Sequence, residues 1–229
     1  MNSSPIWWDN TPAIQTFPKL KLGISTDVLI IGAGIHGIIA SYLLAKAGKQ
    51  VTLIDQRTIA SGDTQNTTAF ISYLIDADLQ QLVKTFDIET AEVIIESCRS
   101  AIEKMESIIQ TEKLDCDFQR LPLHIYALNQ EDREYLQQEY DLAKQLDLPV
   151  TLSRGEELPF PNTGVLIAED HAKFHPLKFI IQILPKLQKM DIQIYEHTSA
   201  VDIDHDKNIV KTDFAAIKAK YIIAATHYP

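Results

Sequence analysis

The sequence predicts an α/β fold built around a parallel sheet, and three features near the N-terminus indicate it. The run 27–31 is short, apolar and followed by glycine, which is typical of a strand buried on both faces. The segment 35–47 is helical in pattern, and Gly48 ends it in the position that glycine favours. The run 50–54 predicts a second strand. Strand, helix and strand in this order make a βαβ unit.

Composition and charge exclude several classes of protein. The chain has 229 residues, 45% of them hydrophobic and 23% charged, which is ordinary for a globular protein of one large or two small domains. Its formal net charge of -10 argues against a nucleic-acid partner, which would need a basic face. Cys98 and Cys116 are the two cysteines and form no C-x-x-C pair or Cys/His cluster, so neither a disulfide framework nor a metal site is predicted.

The expected location is the cytoplasm. No apolar run approaches the roughly 20 residues that a membrane helix needs, so no integral membrane segment is expected. The first residues lack the charged and apolar regions of a signal peptide.

The glycines of the βαβ unit predict a dinucleotide site of Rossmann type. Gly32, Gly34 and Gly37 form G-x-G-x-x-G between a strand and a helix. The first glycine permits the tight turn, the second lets a pyrophosphate approach the backbone, and the third lets helix and strand pack closely. Asp55 ends the second strand, where a carboxylate accepts hydrogen bonds from ribose hydroxyls and repels a 2′-phosphate. The alternative is a simple turn beside a surface carboxylate.

The residues after Asp55 favour FAD over a nicotinamide cofactor. A nicotinamide-binding fold would continue through short βα units. This chain instead has a polar loop, 61–68, followed by a long mixed segment. We predict that this loop is a second element in contact with the cofactor, and the alternative reading is a solvated turn.

The rest of the chain predicts an arm, further helices and further strands. Residues 1–25 contain three prolines and the aromatic residues Trp7, Trp8 and Phe17, which predicts an extended arm whose aromatic side chains dock on the body. Helices are predicted at 76–113, 131–146 and 176–189, and a short helical turn after the capping-box pattern 153–156. Strands are predicted at 123–128, 192–196, 199–204, 209–212 and 221–225.

At this point the chain resembles the FAD-dependent oxidoreductase family of D-amino-acid oxidase, glycine oxidase and sarcosine oxidase. Within it, the sequence is most similar to bacterial members that bear a Rieske domain and to gamma-glutamylputrescine oxidase. The resemblance runs through the segments 6–7, 27–55, 61–69, 114–118, 174–176 and 221–226 in order. It implies a Rossmann-like FAD-binding domain with a parallel sheet and an incomplete α+β substrate domain. The implied division is an arm at 1–25, the FAD-binding domain at 26–113 and 176–229, and the partial substrate domain at 114–175.

The resemblance also implies a set of FAD-binding residues. They are Gly32, Gly34, Ile35, His36, Gly37, Asp55, Gln56, Arg57, Gly62, Thr64, Val201, Ala225 and Thr226. Asp55 stands where the family usually has Glu, and the backbone of Val201 would read the adenine edge. Asn66 stands where some relatives have a flavin-linking His, so covalent attachment by that route is not expected. His227 replaces a glycine of many members.

The implied reaction is oxidation of a C–N bond in an amine or amino-acid substrate by hydride transfer to the flavin. In the family, the groups that bind substrate lie mainly beyond the position of Pro229, so no catalytic residue is assigned and the chain is expected to be truncated. A separately encoded C-terminal half is a candidate partner. A non-catalytic remnant and a nucleotide-binding module without redox activity are the alternatives.

Other polar residues invite a metal-site reading that we do not adopt. The seven histidines are scattered, and isolated histidines are predicted to be structural or exposed. Asp202, Asp204 and Asp206 surround His205, but a solvated hairpin end accounts for this pattern better than a cation site.

Overall fold

A computed structural model of the chain describes residues 5–9, 11–75 and 78–227. The strands are β1 Ile24–Ile31, β2 Val51–Ile54, β3 Phe70–Ile71, β4 Gln119–Ala127, β5 Val150–Ser153, β6 Gly164–Lys173, β7 Gln193–Tyr195, β8 Ala200–Asp204, β9 Ile209–Thr212 and β10 Ala216–Ala224. The helices are α1 Ile35–Lys46, α2 Leu79–Thr85, α3 Ile88–Glu112, α4 Gln130–Gln145 and α5 Pro176–Lys189, with 3₁₀ turns at Ile6–Trp8 and Asp63–Asn66. Within the described residues, every helix is too short or too polar to span a bilayer.

The elements form two compact units. Unit 1 comprises Met1–Thr68, Glu112–Cys116 and His175–Pro229, and unit 2 comprises Ala69–Thr111 and Asp117–Phe174.

Unit 1 contains a six-stranded sheet in the order β7-β2-β1-β10-β9-β8. The first four strands are parallel, and β9 and β8 continue the sheet in antiparallel pairing. Strands β1 and β2 are central, and Leu29, Ile30 and Leu53 are fully buried. This burial on both faces explains the continuous apolar run 28–31 of β1. Helices α1 and α5 contact each other, and α1 packs on β1 and β2. The predicted parallel α/β architecture is confirmed.

The sequence of α5 explains both its start and its position. Pro176 occupies the first turn, where its missing N–H removes no helical hydrogen bond. The Nδ1 atom of His175 accepts a hydrogen bond from the backbone N–H of Lys178 at 3.3 Å and caps the helix. Leu177, Ile180 and Leu184 recur at helical spacing and are all buried. The predicted helix 176–189 is therefore confirmed at both ends.

Unit 2 contains a four-stranded antiparallel sheet with helices packed on it. Strand β6 pairs with β4 on one side and with β3 and β5 on the other. Helix α4 contacts β4, β5 and β6, and it also contacts α2. The buried Glu139 of α4 accepts hydrogen bonds from the backbone N–H groups of Leu79 and Gln80 at 2.8 and 2.9 Å. That carboxylate holds the first turn of α2 against α4.

The structure divides the predicted helix 76–113 into α2 and α3. The Asp87 side chain accepts the backbone N–H of Thr90 at 2.7 Å, and the Asp78 side chain accepts that of Gln81 at 2.8 Å. Aspartates favour N-cap positions for this reason, so each one starts a helix where periodicity alone suggests continuity. Residues 76 and 77 lie outside the described residues.

Other boundaries differ from the sequence predictions in unit 2. The capping-box pattern at 153–156 starts no helix, because β5 ends there and Gly155 adopts a positive φ of 83°. Strands β3, β5 and β6 were not predicted, and β4 begins earlier than expected. The proposed division gave 69–111 to the FAD-binding domain, whereas the structure groups Ala69–Thr111 with unit 2. The reason is that β3, α2 and α3 supply part of the core under β6.

Two buried rings stack inside unit 2. The ring centroids of Tyr73 and His171 lie 4.2 Å apart with an interplanar angle of 25°. Tyr73 is fully buried and His171 is 3% exposed. Among the described residues, nothing hydrogen-bonds to the Tyr73 hydroxyl or to either ring nitrogen of His171. Burial lowers the pKa of His171 from 6.5 to about 4 and raises the pKa of Tyr73 to about 12. Both rings are therefore neutral at pH 7.

We expect His171 to make the protein less stable in mild acid. Because its pKa is lower in the folded state, the unfolded chain binds the proton first as the pH falls below 6.5. The stability present above pH 6.5 is then lost, by about 2 kcal/mol between pH 7 and pH 5. Urea unfolding at the two pH values measures the loss. His171→Phe, which keeps a ring in the stack, should remove this part of the pH dependence. An unchanged dependence in the variant would contradict the account.

Candidate cofactor site

The glycine loop of unit 1 is closed by contacts that a side chain would prevent. Gly32 has a φ of 109°, and a Cβ there would lie 2.7 Å from the carbonyl oxygen of Ala225. A Cβ on Gly37 would lie 1.9 Å from the carbonyl oxygen of Gly32. The backbone itself occupies these positions, so neither residue can be anything but glycine without a shift of main chain. The roles predicted for the turn and for close packing of helix and strand thus have a geometric basis.

Helix α1 begins immediately after this loop. Gly34 is its N-cap, in an extended conformation, and Ile35, His36 and Gly37 form the first turn. A helix has no internal acceptor for the N–H groups of this turn, and its dipole places partial positive charge there. Thr64 supplies one acceptor, since its Oγ1 atom takes the N–H of Ile35 at 3.0 Å. The turn is therefore suited to bind an anion beside a hydroxyl group.

Asp55 lies at the carboxyl end of β2 and braces the glycine loop. Its Oδ2 atom accepts the backbone N–H of Ala33 at 2.7 Å, and its Oδ1 atom accepts that of Arg57 at 2.8 Å. The residue is half-buried. Each carboxylate oxygen has a second lone pair, so the group can accept further hydrogen bonds from a hydroxylated ligand. Gln56 and Arg57 follow and are exposed at the same end of the strand.

The polar loop 61–68 lies beside the first turn of α1. Thr64 is 7% exposed and makes the contact with Ile35, while a Cβ on Gly34 would lie 3.1 Å from its hydroxyl oxygen. A Cβ on Gly62 would lie 3.3 Å from a guanidinium nitrogen of Arg57. The loop is thus placed next to the glycine loop, which sequence order alone could only suggest.

The end of β10 closes the other side of the glycine loop. The backbone N–H of Ala225 donates to the carbonyl oxygen of Ile31 at 2.8 Å. Thr226 follows and is exposed. The Nδ1 atom of His227 then lies 2.7 Å from Oδ2 of Asp63, and both side chains are mostly exposed. The end of β10 is therefore linked to the polar loop, and no sequence pattern indicates this contact.

Val201 is the predicted site residue with the least direct connection to the others. It lies on β8, at the edge of the sheet, and is 62% exposed. Three positions earlier, the backbone N–H of Thr198 donates to the carbonyl oxygen of Asp55 at 2.8 Å. The segment that enters β8 therefore passes the end of β2. The reading of adenine by Val201 stays a prediction.

Sequence reasoning missed Glu196, whose buried carboxylate supports the segment that leads into the polar loop. Its side chain is 1% exposed. Its two oxygens accept the backbone N–H groups of Phe17 and Ile59, each at 2.8 Å. The carboxylate therefore joins the N-terminal arm to the segment that leads from Asp55 into the polar loop. The one available signal was a glutamate at the end of the predicted strand 192–196.

The aspartates and histidines that could suggest a metal site have structural roles instead. Asp202 pairs with Lys211 at 2.8 Å and Asp204 with Lys207 at 3.1 Å, at the β8–β9 hairpin. His171 and His175 are four residues apart in sequence, yet His171 lies in β6 and His175 caps α5. In the part of the chain that the structure describes, no group of three or more His, Cys, Asp or Glu residues could hold a metal ion.

The site fits the ADP portion of a dinucleotide such as FAD. Its glycine loop leaves no room for side chains, and a helix N-terminus faces that loop with a hydroxyl beside it. A carboxylate stands at the end of the adjacent strand. Fold and site together define a dinucleotide-binding protein of Rossmann type.

The chain belongs to the FAD dependent oxidoreductase (DAO) family, whose sequence pattern matches residues 27–228. The cofactor of this family is FAD. The resemblance proposed from the motifs and the predicted cofactor are therefore confirmed.

Three relatives illustrate the likeness. YhfW of Bacillus subtilis, named for a Rieske 2Fe-2S iron-sulfur centre, is 28% identical over 97% of this chain and 44% of its own length. Gamma-glutamylputrescine oxidoreductase of Escherichia coli is 24% identical over 91% of this chain and 50% of its own. Glycine oxidase from Geobacillus kaustophilus shares the fold, with a TM-score of 0.73 and 18% identity over 88% of this chain and 55% of that one. The chain spans about half the length of the curated relatives it matches.

Proposed function

We propose that this chain is the FAD-binding part of an oxidoreductase that oxidises a C–N bond in an amine or amino acid. The observation that carries the proposal is the closed glycine loop at the start of α1, with Asp55 bonded to the N–H of Ala33. Family membership supports the redox chemistry, and the names of gamma-glutamylputrescine oxidoreductase and glycine oxidase support the substrate class. Bound flavin would supply the chemistry by accepting a hydride from the carbon next to nitrogen.

The residues of this chain hold the cofactor in the proposed arrangement. The N–H groups of His36 and Gly37 bind the pyrophosphate at the positive end of α1, and the hydroxyl of Thr64 lies beside it. Asp55 accepts hydrogen bonds from the ribose hydroxyls. Arg57 and Gly62 flank the adenosine, and Ala225 and Thr226 line the side formed by β10. These contacts orient the cofactor, and the groups that bind substrate are not assigned.

Asp55→Ala is expected to weaken binding of both FAD and ADP about tenfold or more. The variant loses ribose hydrogen bonds to a charged acceptor, each worth about 1.5–3 kcal/mol, and also loses the contact that braces Ala33. Isothermal titration calorimetry with each ligand measures the change. Asp55→Glu, which keeps a carboxylate, should retain most of the affinity. Equal binding of FAD by Asp55→Ala and the unchanged protein would place the ribose elsewhere.

The redox part of the proposal is tested by anaerobic mixing of the FAD-loaded protein with substrates. An amine or amino acid should bleach the flavin absorbance near 450 nm and yield an imine or its hydrolysis product. The assay is run with the chain alone and together with a separately encoded C-terminal half, which the proposal includes as a partner. Bleaching by alcohols but by no amine or amino acid would contradict the proposed substrate class. ADP binding without any flavin binding would favour a nucleotide-binding module.

A further inference from the structure

The N-terminal arm of unit 1 has a local structure of its own. A 3₁₀ turn spans Ile6–Trp8, and the backbone N–H of Trp8 donates to the carbonyl oxygen of Pro5 at 3.0 Å. The backbone N–H of Asp9 donates to the carbonyl oxygen of Ile6 at 3.2 Å. These bonds present Trp7 and Trp8 as neighbouring, partly buried indole rings.

Both indoles are anchored on the polar loop that lies beside the cofactor site. The Nε1–H group of Trp7 donates to the carbonyl oxygen of Thr67 at 2.8 Å. The Nε1–H group of Trp8 donates to Oε1 of Gln65, also at 2.8 Å. The Trp7 ring also meets the His175 ring edge-on, with centroids 4.9 Å apart, at the start of α5. The arm thus reaches a loop about 60 positions away in sequence through two separate hydrogen bonds.

Gln65 connects the hydrogen bond from Trp8 to the backbone of the polar loop. While its Oε1 atom accepts from Trp8, its Nε2 group donates to the carbonyl oxygen of Ser61 at 2.7 Å. The next residue, Asn66, donates from its side chain to the carbonyl oxygen of Gly62 at 3.2 Å. These side chains brace the 3₁₀ turn Asp63–Asn66 from within. Thr64, whose hydroxyl accepts the N–H of Ile35 in α1, lies in that turn.

We propose that the arm is a clasp that fixes the polar loop, with Trp8 and Gln65 as positioning residues for the cofactor. The indole of Trp8 fixes the amide of Gln65, that amide holds the turn, and the turn keeps the Thr64 hydroxyl at the first turn of α1. In the absence of the clasp, the loop samples conformations in which the hydrogen bond between the Thr64 hydroxyl and the N–H of Ile35 is broken. The effect on FAD rests on the proposed function, whereas the effect on the loop does not.

Trp8→Phe tests the clasp, because it removes the indole N–H while keeping an aromatic ring. We expect the dissociation constant for FAD to rise about five- to tenfold, the range for loss of one partly buried hydrogen bond. Gln65→Leu removes this bond and also the bond from Gln65 to Ser61, so its effect should be at least as large. The double variant should be no worse than Gln65→Leu alone, because the Trp8–Gln65 bond is already absent there. Additive losses in the double variant would contradict the Trp8–Gln65 link.

A matched control separates positioning from general loss of stability. Gln182 also lies in unit 1, and its side chain makes two hydrogen bonds with the backbone of Asp115, at 2.5 and 2.9 Å. Gln182→Leu should lower the melting temperature at least as much as Trp8→Phe while leaving FAD affinity unchanged. If both variants weaken FAD binding equally, the clasp is a stability effect and the proposal fails.

Hydrogen exchange tests the loop without any cofactor. The chain has two tryptophans, so its two indole N–H signals are assigned by the single Phe variants. Both should be protected in the ligand-free protein, and Trp8→Phe should speed backbone exchange in 61–68 at least fivefold while leaving β1 unaffected. Unchanged exchange in the loop overturns the clasp even if FAD binds. Faster exchange in a protein that never binds FAD would support the clasp and refute the proposed function.

Discussion

Replacing Gly37 with alanine is expected to abolish FAD binding and to lower the free energy of unfolding by about 3 kcal/mol. The new Cβ would lie 1.9 Å from the carbonyl oxygen of Gly32 and 3.4 Å from Cγ2 of Ile30. The first of these atoms belongs to the backbone of the tight turn, so relief of the clash must move the glycine loop away from the first turn of α1. The displaced loop can no longer accommodate a pyrophosphate.

Gly48→Ala is the matched control, since it adds the same methyl group after the same helix. A Cβ there meets nothing within 4 Å, although the φ of 75° is strained for alanine. We expect a cost of about 1 kcal/mol and unchanged FAD affinity. Chemical unfolding and FAD titration of both variants provide the measurement. If Gly37→Ala binds FAD as tightly as the unchanged protein, FAD binding does not depend on the close approach of α1 to the glycine loop, and the account is contradicted.

The second large effect is expected for Glu196→Ala, with a loss of about 4 kcal/mol in stability. The variant leaves the backbone N–H groups of Phe17 and Ile59 without their acceptor in a buried site. Each orphaned buried amide costs about 1–3 kcal/mol. Glu196→Gln retains one acceptor oxygen and should lose less. Because Ile59 leads into the polar loop, FAD affinity should fall as well.

Glu139→Ala serves as the comparison for Glu196→Ala. Glu139 is another buried carboxylate that accepts two backbone N–H groups, but it lies in unit 2. A similar loss of stability with unchanged FAD affinity is expected. Denaturant unfolding and calorimetric titration distinguish the two variants. Equal weakening of FAD binding by both would show that Glu196 acts through global stability alone.

The βαβ unit was predictable because several local signals agree there. The apolar run of β1 predicts a buried strand, the three glycines predict a tight turn, and the carboxylate after β2 predicts an acceptor for ribose hydroxyls. Together these signals select one fold. The start of α5 was predictable for a similar reason, since Pro176 suits a first helical turn. The close approach of the glycine loop to the first turn of α1 followed from this motif.

Unit 2 was harder to predict because its elements depend on partners distant in sequence. The 10-residue strand β6 includes the charged segment Glu169-Asp170, which obscures the alternation of a strand. The break between α2 and α3 depends on which aspartate caps a helix, and the helical period does not reveal that choice. Strand β3 has two residues and exists through its pairing with β6.

Within the site, the sequence could not indicate contacts made through folding. The links from Asp63 to His227 and from Glu196 to Ile59 join segments more than a hundred residues apart, and no local pattern marks them. The arm illustrates the same limit. Its aromatic residues predict docking, but no sequence pattern indicates that their indole N–H groups donate to Thr67 and Gln65 of the polar loop.

Titration of the purified protein with FAD, with ADP as competitor, tests the central claim most directly. If unit 1 holds FAD through its ADP portion, one FAD should bind per chain, ADP should displace it competitively, and riboflavin should not. Calorimetry measures each binding constant, and flavin fluorescence follows the displacement. An absence of FAD binding, or FAD binding that excess ADP leaves unchanged, would contradict the account.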